Sequence, residues 1–178
     1  PHGPWERQLL LLAAAHPKAL HGVEVAPVPQ PLFGPYRQAC LNAWWGRARA
    51  RRQPELAWLL YGRGPTADPL NWVTWRRLQG WRRRLQRHPE DRLMLEWAWE
   101  LHRRRPEGAP AAGVPGPVAL LAAEVESLGW RWSHPWAFER PGRSPLPLAG
   151  GPHSWWAHEV REGLRDRALQ TAAAARRE

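Results

Sequence analysis

Twenty prolines spread along 178 residues set how long any regular element of this chain can be. Proline has no amide hydrogen, and its ring disfavours the α conformation in the residue before it. An unbroken helix must therefore fit between prolines or begin on one. The spacing predicts a helix over Trp5 to Ala15, ending near His16-Pro17, then a short connection and a proline-broken stretch from Pro27 to Pro35. Tyr36 to Arg51 reads as the next helix, and Glu55 to Tyr61 as a shorter one after Pro54. Asp68-Pro69 is a helix start, with Asp as the cap and Pro at the first helical position; that helix should stop at Arg87, before Pro89. Glu90 to Arg105 places acids first and arginines last, as the helix dipole favours.

Pro106 to Pro117 is rich in Pro, Gly and Ala and reads as a linker. Beyond it, Val118 to Leu128 is helical and ends at Gly129. From Trp130 to Phe138 the aromatic residues fall at every second position, the period of a strand, and Pro135 confines that strand to an edge. Ser144 to Leu148 returns as a second strand, and Pro152 to Arg177 closes as a long helix. The expected fold is mainly α, a helical bundle of five or more helices with at most one small β-hairpin. The linker divides it into residues 1–105 and a helix–hairpin–helix unit at 118–178.

Hydrophobic residues make up 43% of the chain, enough to argue against wholesale disorder, and a chain of this length hides roughly two-thirds of its unfolded surface. The start at Pro1 and the end within a helical pattern lead us to expect an excerpt of a longer protein. Cys40 is the lone cysteine, so neither an internal disulfide nor a zinc knuckle can form, which fits an intracellular compartment. The apolar run from Leu9 to Ala15 is far below the ~20 residues that span a bilayer, and no membrane partner is expected.

Of 26 basic residues only Lys18 is a lysine, and the net charge is +10. A GC-rich codon bias is one reading of Arg over Lys, but it does not explain where the arginines fall. Residues 44 to 105 hold fifteen arginines against six acids, nine of the ten net charges. On the helix from Asp68, at about 100° per residue, Trp75, Leu78, Trp81 and Leu85 share one arc. Arg76, Arg77, Arg83, Arg84 and Arg87 gather on the opposite arc, with Arg82 the exception. Such a ridge suits phosphate, because guanidinium is planar and bidentate and the contact releases counterions. A solvated face and an acidic protein partner are the other readings. Helical spacing makes Trp58, Trp75, Trp81 and Trp97 core residues, while Trp130 and Trp132 beside Arg131 offer a platform for stacking bases.

Catalytic motifs are not legible. His158-Glu159 opens an HExxH pattern, but Glu162 stands where the second His belongs. His153 and His158 are about 140° apart on a helix, Gly62 to Thr66 lacks the Lys and Ser/Thr of a phosphate loop, and no GxSxG occurs. Cys40 lies on a helical face, where packing is its expected role. No cofactor or metal is expected, and no enzyme activity of the segment by itself.

The run Leu9-Leu10-Leu11-Leu12-Ala13-Ala14-Ala15-His16-Pro17-Lys18-Ala19-Leu20-His21-Gly22-Val23-Glu24 resembles the thumb region of reverse transcriptases of non-LTR (LINE- and R2-like) retrotransposons. There an apolar helix precedes a Pro-Lys-Ala-Leu-Tyr-Gly-x-Glu-like turn, and a second helix ends near an aromatic-Trp-Gly and a basic cluster. Here those are Trp44-Trp45-Gly46 and Arg47 to Arg52, leading into Pro54-Glu55-Leu56, with His21 where Tyr is usual. The resemblance covers about residues 5 to 60; residues 61 to 178 resemble, more loosely, the connecting segment downstream. It implies a non-catalytic thumb-like region at 1–105 that grips the RNA or RNA–DNA duplex backbone, the polymerase palm and fingers lying elsewhere in the same polypeptide. The basic residues that would make that grip are Arg47, Arg49, Arg51, Arg52, Arg76, Arg77, Arg83, Arg84 and Arg87. The alternative is a helical protein-interaction module whose arginines reflect genomic bias.

Overall fold

In a computed structural model, residues 3–45, 57–58, 64–104 and 116–175 are described. They are mainly α-helical with one small sheet. Helix α1 (Pro4–Leu10) starts on Gly3, whose amide donates to Glu6 Oε2 at 3.0 Å. The helical path does not stop at His16-Pro17 as expected. It widens into a π-helical turn at Leu11–Ala15, where the His16 amide donates to Leu11 O, and continues as α2 (His16–Ala19). A proline inside a helix loses one hydrogen bond and its ring meets the carbonyl four residues back. A π turn just before it is one way to accommodate both.

Helix α3 (Gln30–Trp45) begins six residues before the expected Tyr36. Pro31 falls in its first turn, where amide hydrogens have no helical acceptor anyway, and Pro35 is carried inside. After a 3-10 turn at Pro65–Ala67, helix α4 (Pro69–Arg87) starts where Asp68-Pro69 predicts, with Asp68 Oδ1 accepting the Leu70 amide at 3.0 Å. Helices α5 (Asp91–Arg103) and α6 (Pro117–Ser127) follow. Gly129, at φ +70, ends α6 in the left-handed region that suits glycine.

The aromatic alternation is not one edge strand. Strands β1 (Arg131–His134) and β2 (Ala137–Arg140) are separated by a turn at Pro135-Trp136, and β3 (Arg143–Pro147) adds a third, in antiparallel order β1-β2-β3. Proline cannot donate to a ladder, so the chain folds back there. Phe138 pairs with Leu146 at the buried centre of the sheet. Helix α7 (His153–Ala174) closes the described chain. No helix among the described residues is long and apolar enough to cross a membrane.

The chain forms two compact units, and they do not divide at the linker. One contains residues 1–21, 28–75 and 160–178; the other contains 22–27 and 76–159. The expected 106–117 linker lies, except for Gly116 and Pro117, outside the described residues, and α5 and α6 on its two sides belong to the same unit.

In the first unit, Cys40, Leu41, Trp44, Ala57, Trp58 and Ala67 make the core, with Trp44 stacked on Trp58 at 4.6 Å. His16 is fully buried beside that core. Its Nε2 lies 3.1 Å from Ala67 O, which only accepts, so Nε2 carries the hydrogen and Nδ1 accepts from the Tyr36 hydroxyl at 2.8 Å. Arg37 pairs with Asp68, and Arg167 donates to Thr74 Oγ1 and Asn71 Oδ1. In the second unit, Leu78, Leu85, Leu95, Leu121, Val125, Phe138, Leu146 and Trp156 are buried.

Candidate nucleic-acid interface

From Arg76 onward, helix α4 belongs to the second unit, and its arginines divide by angle into those that hold the fold and those that face out. Leu78 and Leu85 are fully buried. Arg82 lies about 40° round the helix from Leu78, inside the buried arc. Its guanidinium donates to Gly150 O and Gly151 O, both at 2.6 Å, and lies over the Trp156 ring at 5.0 Å. Burial pushes its pKa down. The forked, planar geometry of arginine matches two successive carbonyls, as one lysine ammonium does not.

Arg77 corrects the sequence reading. Helical spacing puts it on the outward ridge, yet it is 6% exposed and pairs with buried Glu124 of α6. Its Nε donates to Val23 O at 2.8 Å and Nη2 to Ala26 O at 3.1 Å. About 100° from Leu78, it sits on the flank of the buried arc, where the segment 22–27 covers it. Reversing Arg76, Arg77, Arg83 and Arg84 together would therefore bury a second carboxylate beside Glu124. Arg77 is a strut of the fold and not a phosphate-binding candidate.

The other four remain at the surface and share one cleft of about 290 Å3. Arg76, Arg83, Arg84 and Arg87 line it, with Gln79, Gly80, His88 and Glu24. Two of the four are tied to acids. Arg76 Nε donates to Glu24 Oε1 at 2.8 Å, and Arg84 pairs with Asp91, an ion pair that raises the Arg84 pKa and lowers that of Asp91. Arg83 and Arg87 are exposed, one turn apart, and no acid among the described residues pairs with either. Two unpaired guanidinium groups on one face present ten N–H donors to anything anionic that enters.

Three contributors to this cleft are not legible as such in the sequence. Glu24 lies 52 residues before Arg76, and no periodicity links them. His88 hides between the helix end and Pro89. Gly80 does leave a signal: a glycine inside a helix costs about 1 kcal/mol relative to alanine and calls for a packing reason. The reason is Glu24, whose Cγ would lie 3.2 Å from a Cβ at position 80.

Arg47, Arg49, Arg51 and Arg52 lie outside the described residues. The stacking platform expected at Trp130 and Trp132 is instead packing. Trp130 is buried against Phe138 and under Arg140, and Trp132 is half-buried, edge-on to Phe138 at 5.8 Å. Trp58 is buried and Trp75 and Trp81 half-buried, but Trp97, expected in the core, is 65% exposed. Cys40 is buried, and burial raises its thiol pKa. Among the described residues no group of three or more His, Cys, Asp or Glu side chains is placed to hold a metal ion. Compared with known proteins, the chain matches no family model, no curated protein and no solved structure.

Proposed function

We propose that this chain is a non-catalytic nucleic-acid-binding segment of a retroelement reverse transcriptase, holding the template–primer backbone through arginine. The observation that carries the binding is the cleft on α4, where Arg83 and Arg87 stand without an acid partner among the described residues. The retroelement context rests on the thumb-like run from Leu9 to Glu24. Phosphate contacts position a protein on nucleic acid without reading bases, so affinity should depend weakly on sequence and steeply on salt. Each phosphate neutralised on B-form DNA adds about 0.9 to the steepness of the log–log salt dependence.

The test is anisotropy on an RNA–DNA duplex across a salt series. Arg83→Glu with Arg87→Glu should reduce affinity at least tenfold and flatten the salt dependence by about two phosphates' worth. Arg165→Glu, on the exposed side of α7, should do much less. Equal effects from both would reduce the result to net charge, and no binding at low salt would refute the reading.

A second reading, the helical interaction module, is favoured by α5. Leu93, Met94, Trp97 and Leu101 form an exposed apolar stripe about 100° wide. Trp97→Ser would then abolish association with a protein partner and leave duplex binding unchanged.

A further inference from the structure

Phosphate binding leaves one neighbouring feature unused. The basic cleft shares Glu24, Gly80 and Arg84 with a second cleft, about 510 Å3 in volume, whose walls are apolar: Trp81, Met94, Leu95, Ala98 and Val118. Both carboxylates that reach this second cleft are already engaged, Glu24 by Arg76 and Asp91 by Arg84. Each is paired through one oxygen, and apart from these two ion pairs the wall is apolar, so a ligand is held there mainly by burial of apolar surface. A ligand filling both clefts joins an anionic chain to an uncharged ring or hydrocarbon. Arg83 and Arg87 decide between these. Their Cβ atoms, four residues apart on a helix, are about 5–6 Å from each other, so the pair suits successive phosphates of a strand better than a single phosphate head.

We propose that the apolar cleft receives an unpaired base of a nucleic-acid strand whose phosphates lie on Arg83 and Arg87. The proposal rests on the nucleic-acid reading above and adds a preference to it. A paired base is held in its stack and cannot enter without unstacking, which costs free energy; a base in a single-stranded overhang enters freely. The Trp81 ring and the polarizable Met94 thioether offer it an apolar surface. Every base has a face to stack, so purines and pyrimidines are accepted alike. The surface thus distinguishes a strand end or junction from continuous duplex without reading sequence.

The experiment compares three ligands by anisotropy at low salt, using the full chain: a blunt RNA–DNA duplex, the same duplex with a three-nucleotide overhang, and that overhang made abasic. The intact overhang should bind about tenfold more tightly than the blunt duplex, within what one stacked base contributes. The abasic overhang should fall back to the blunt value. Ala98→Phe, which plugs the cleft without changing charge, should erase the preference and leave blunt binding unchanged. Met94→Ala, at an exposed position, should reduce the preference without disturbing the fold. Equal binding of intact and abasic overhangs, or a fall in blunt and overhang binding together in Ala98→Phe with helicity intact, overturns the proposal while the phosphate reading stands. Absence of any binding, blunt included, removes both. Displacement of the labelled overhang by dodecyl phosphate more readily than by a short single strand assigns the cleft to an anionic amphiphile and also overturns it.

Discussion

Two arginines six positions apart on one helix stand in opposite surroundings, one buried and one exposed, and their substitution should separate them. Arg77 and Glu124 are both buried, and Arg77 also serves two carbonyls of the segment 22–27. Arg77→Ala leaves the carboxylate buried without its partner, which typically costs about 3–5 kcal/mol. Replacing both at once, Arg77→Met with Glu124→Leu, should recover part of that stability in urea denaturation, the carbonyls of Val23 and Ala26 still lacking their donor. Arg83→Ala removes an exposed side chain and should stay within about 0.5 kcal/mol. His16 supplies a pH prediction. Burial lowers its pKa from the ordinary 6.5, so the folded chain holds a neutral ring that the unfolded chain protonates first. Stability from this residue is complete above about pH 6.5 and declines as the pH falls below it, because the unfolded state then binds more protons. Melting temperatures taken between pH 7.5 and 5 should fall, and His16→Phe should lessen the slope. An unchanged slope would remove His16 as its source.

Which elements can be read from the sequence depends on whether their signal is local. Helix α4 is legible at both ends because Asp68 caps it and Pro89 stops it, each a matter of neighbouring residues. The start of α3 is not, because a proline in a first turn looks in sequence like one that breaks a helix. The β-region misleads for a related reason. Trp130, Trp132, Trp136 and Phe138 keep the period of two through a turn, so alternation alone does not reveal that the chain reverses at Pro135. Gly129 holds φ +70, where a Cβ costs about 1–2 kcal/mol. Gly129→Ala should lower stability by that amount, and Gly129→Asn by less, since Asn tolerates the left-handed region. Equal decreases, read from paired denaturation curves, would point to side-chain crowding instead, although nothing lies within 4 Å of the added Cβ.

The charge of the 44–105 stretch is visible in the sequence, but its division into buried struts and exposed guanidinium groups is not. That division depends on Glu24, Glu124, Gly150 and Gly151, all distant along the chain from the arginines they meet. One consequence is measurable on the intact protein. A ligand that binds only the folded state stabilises it by mass action, by about 2.7 kcal/mol at one hundred times its dissociation constant. An RNA–DNA duplex should therefore raise the melting temperature at low salt, the rise should vanish at high salt, and Arg83→Glu with Arg87→Glu should cut it by about half or more. A rise that persisted at high salt would require something other than phosphate contacts. Arg82 bears on how such a composition is kept. Nucleotide drift toward GC exchanges lysine for arginine at exposed positions with little effect, and drift the other way can undo it there. Where the fork of Arg82 spans the carbonyls of Gly150 and Gly151 over Trp156, a change to lysine replaces two donor nitrogens and a planar group with a single ammonium. Packing of this kind holds an arginine in place whatever the codon bias around it.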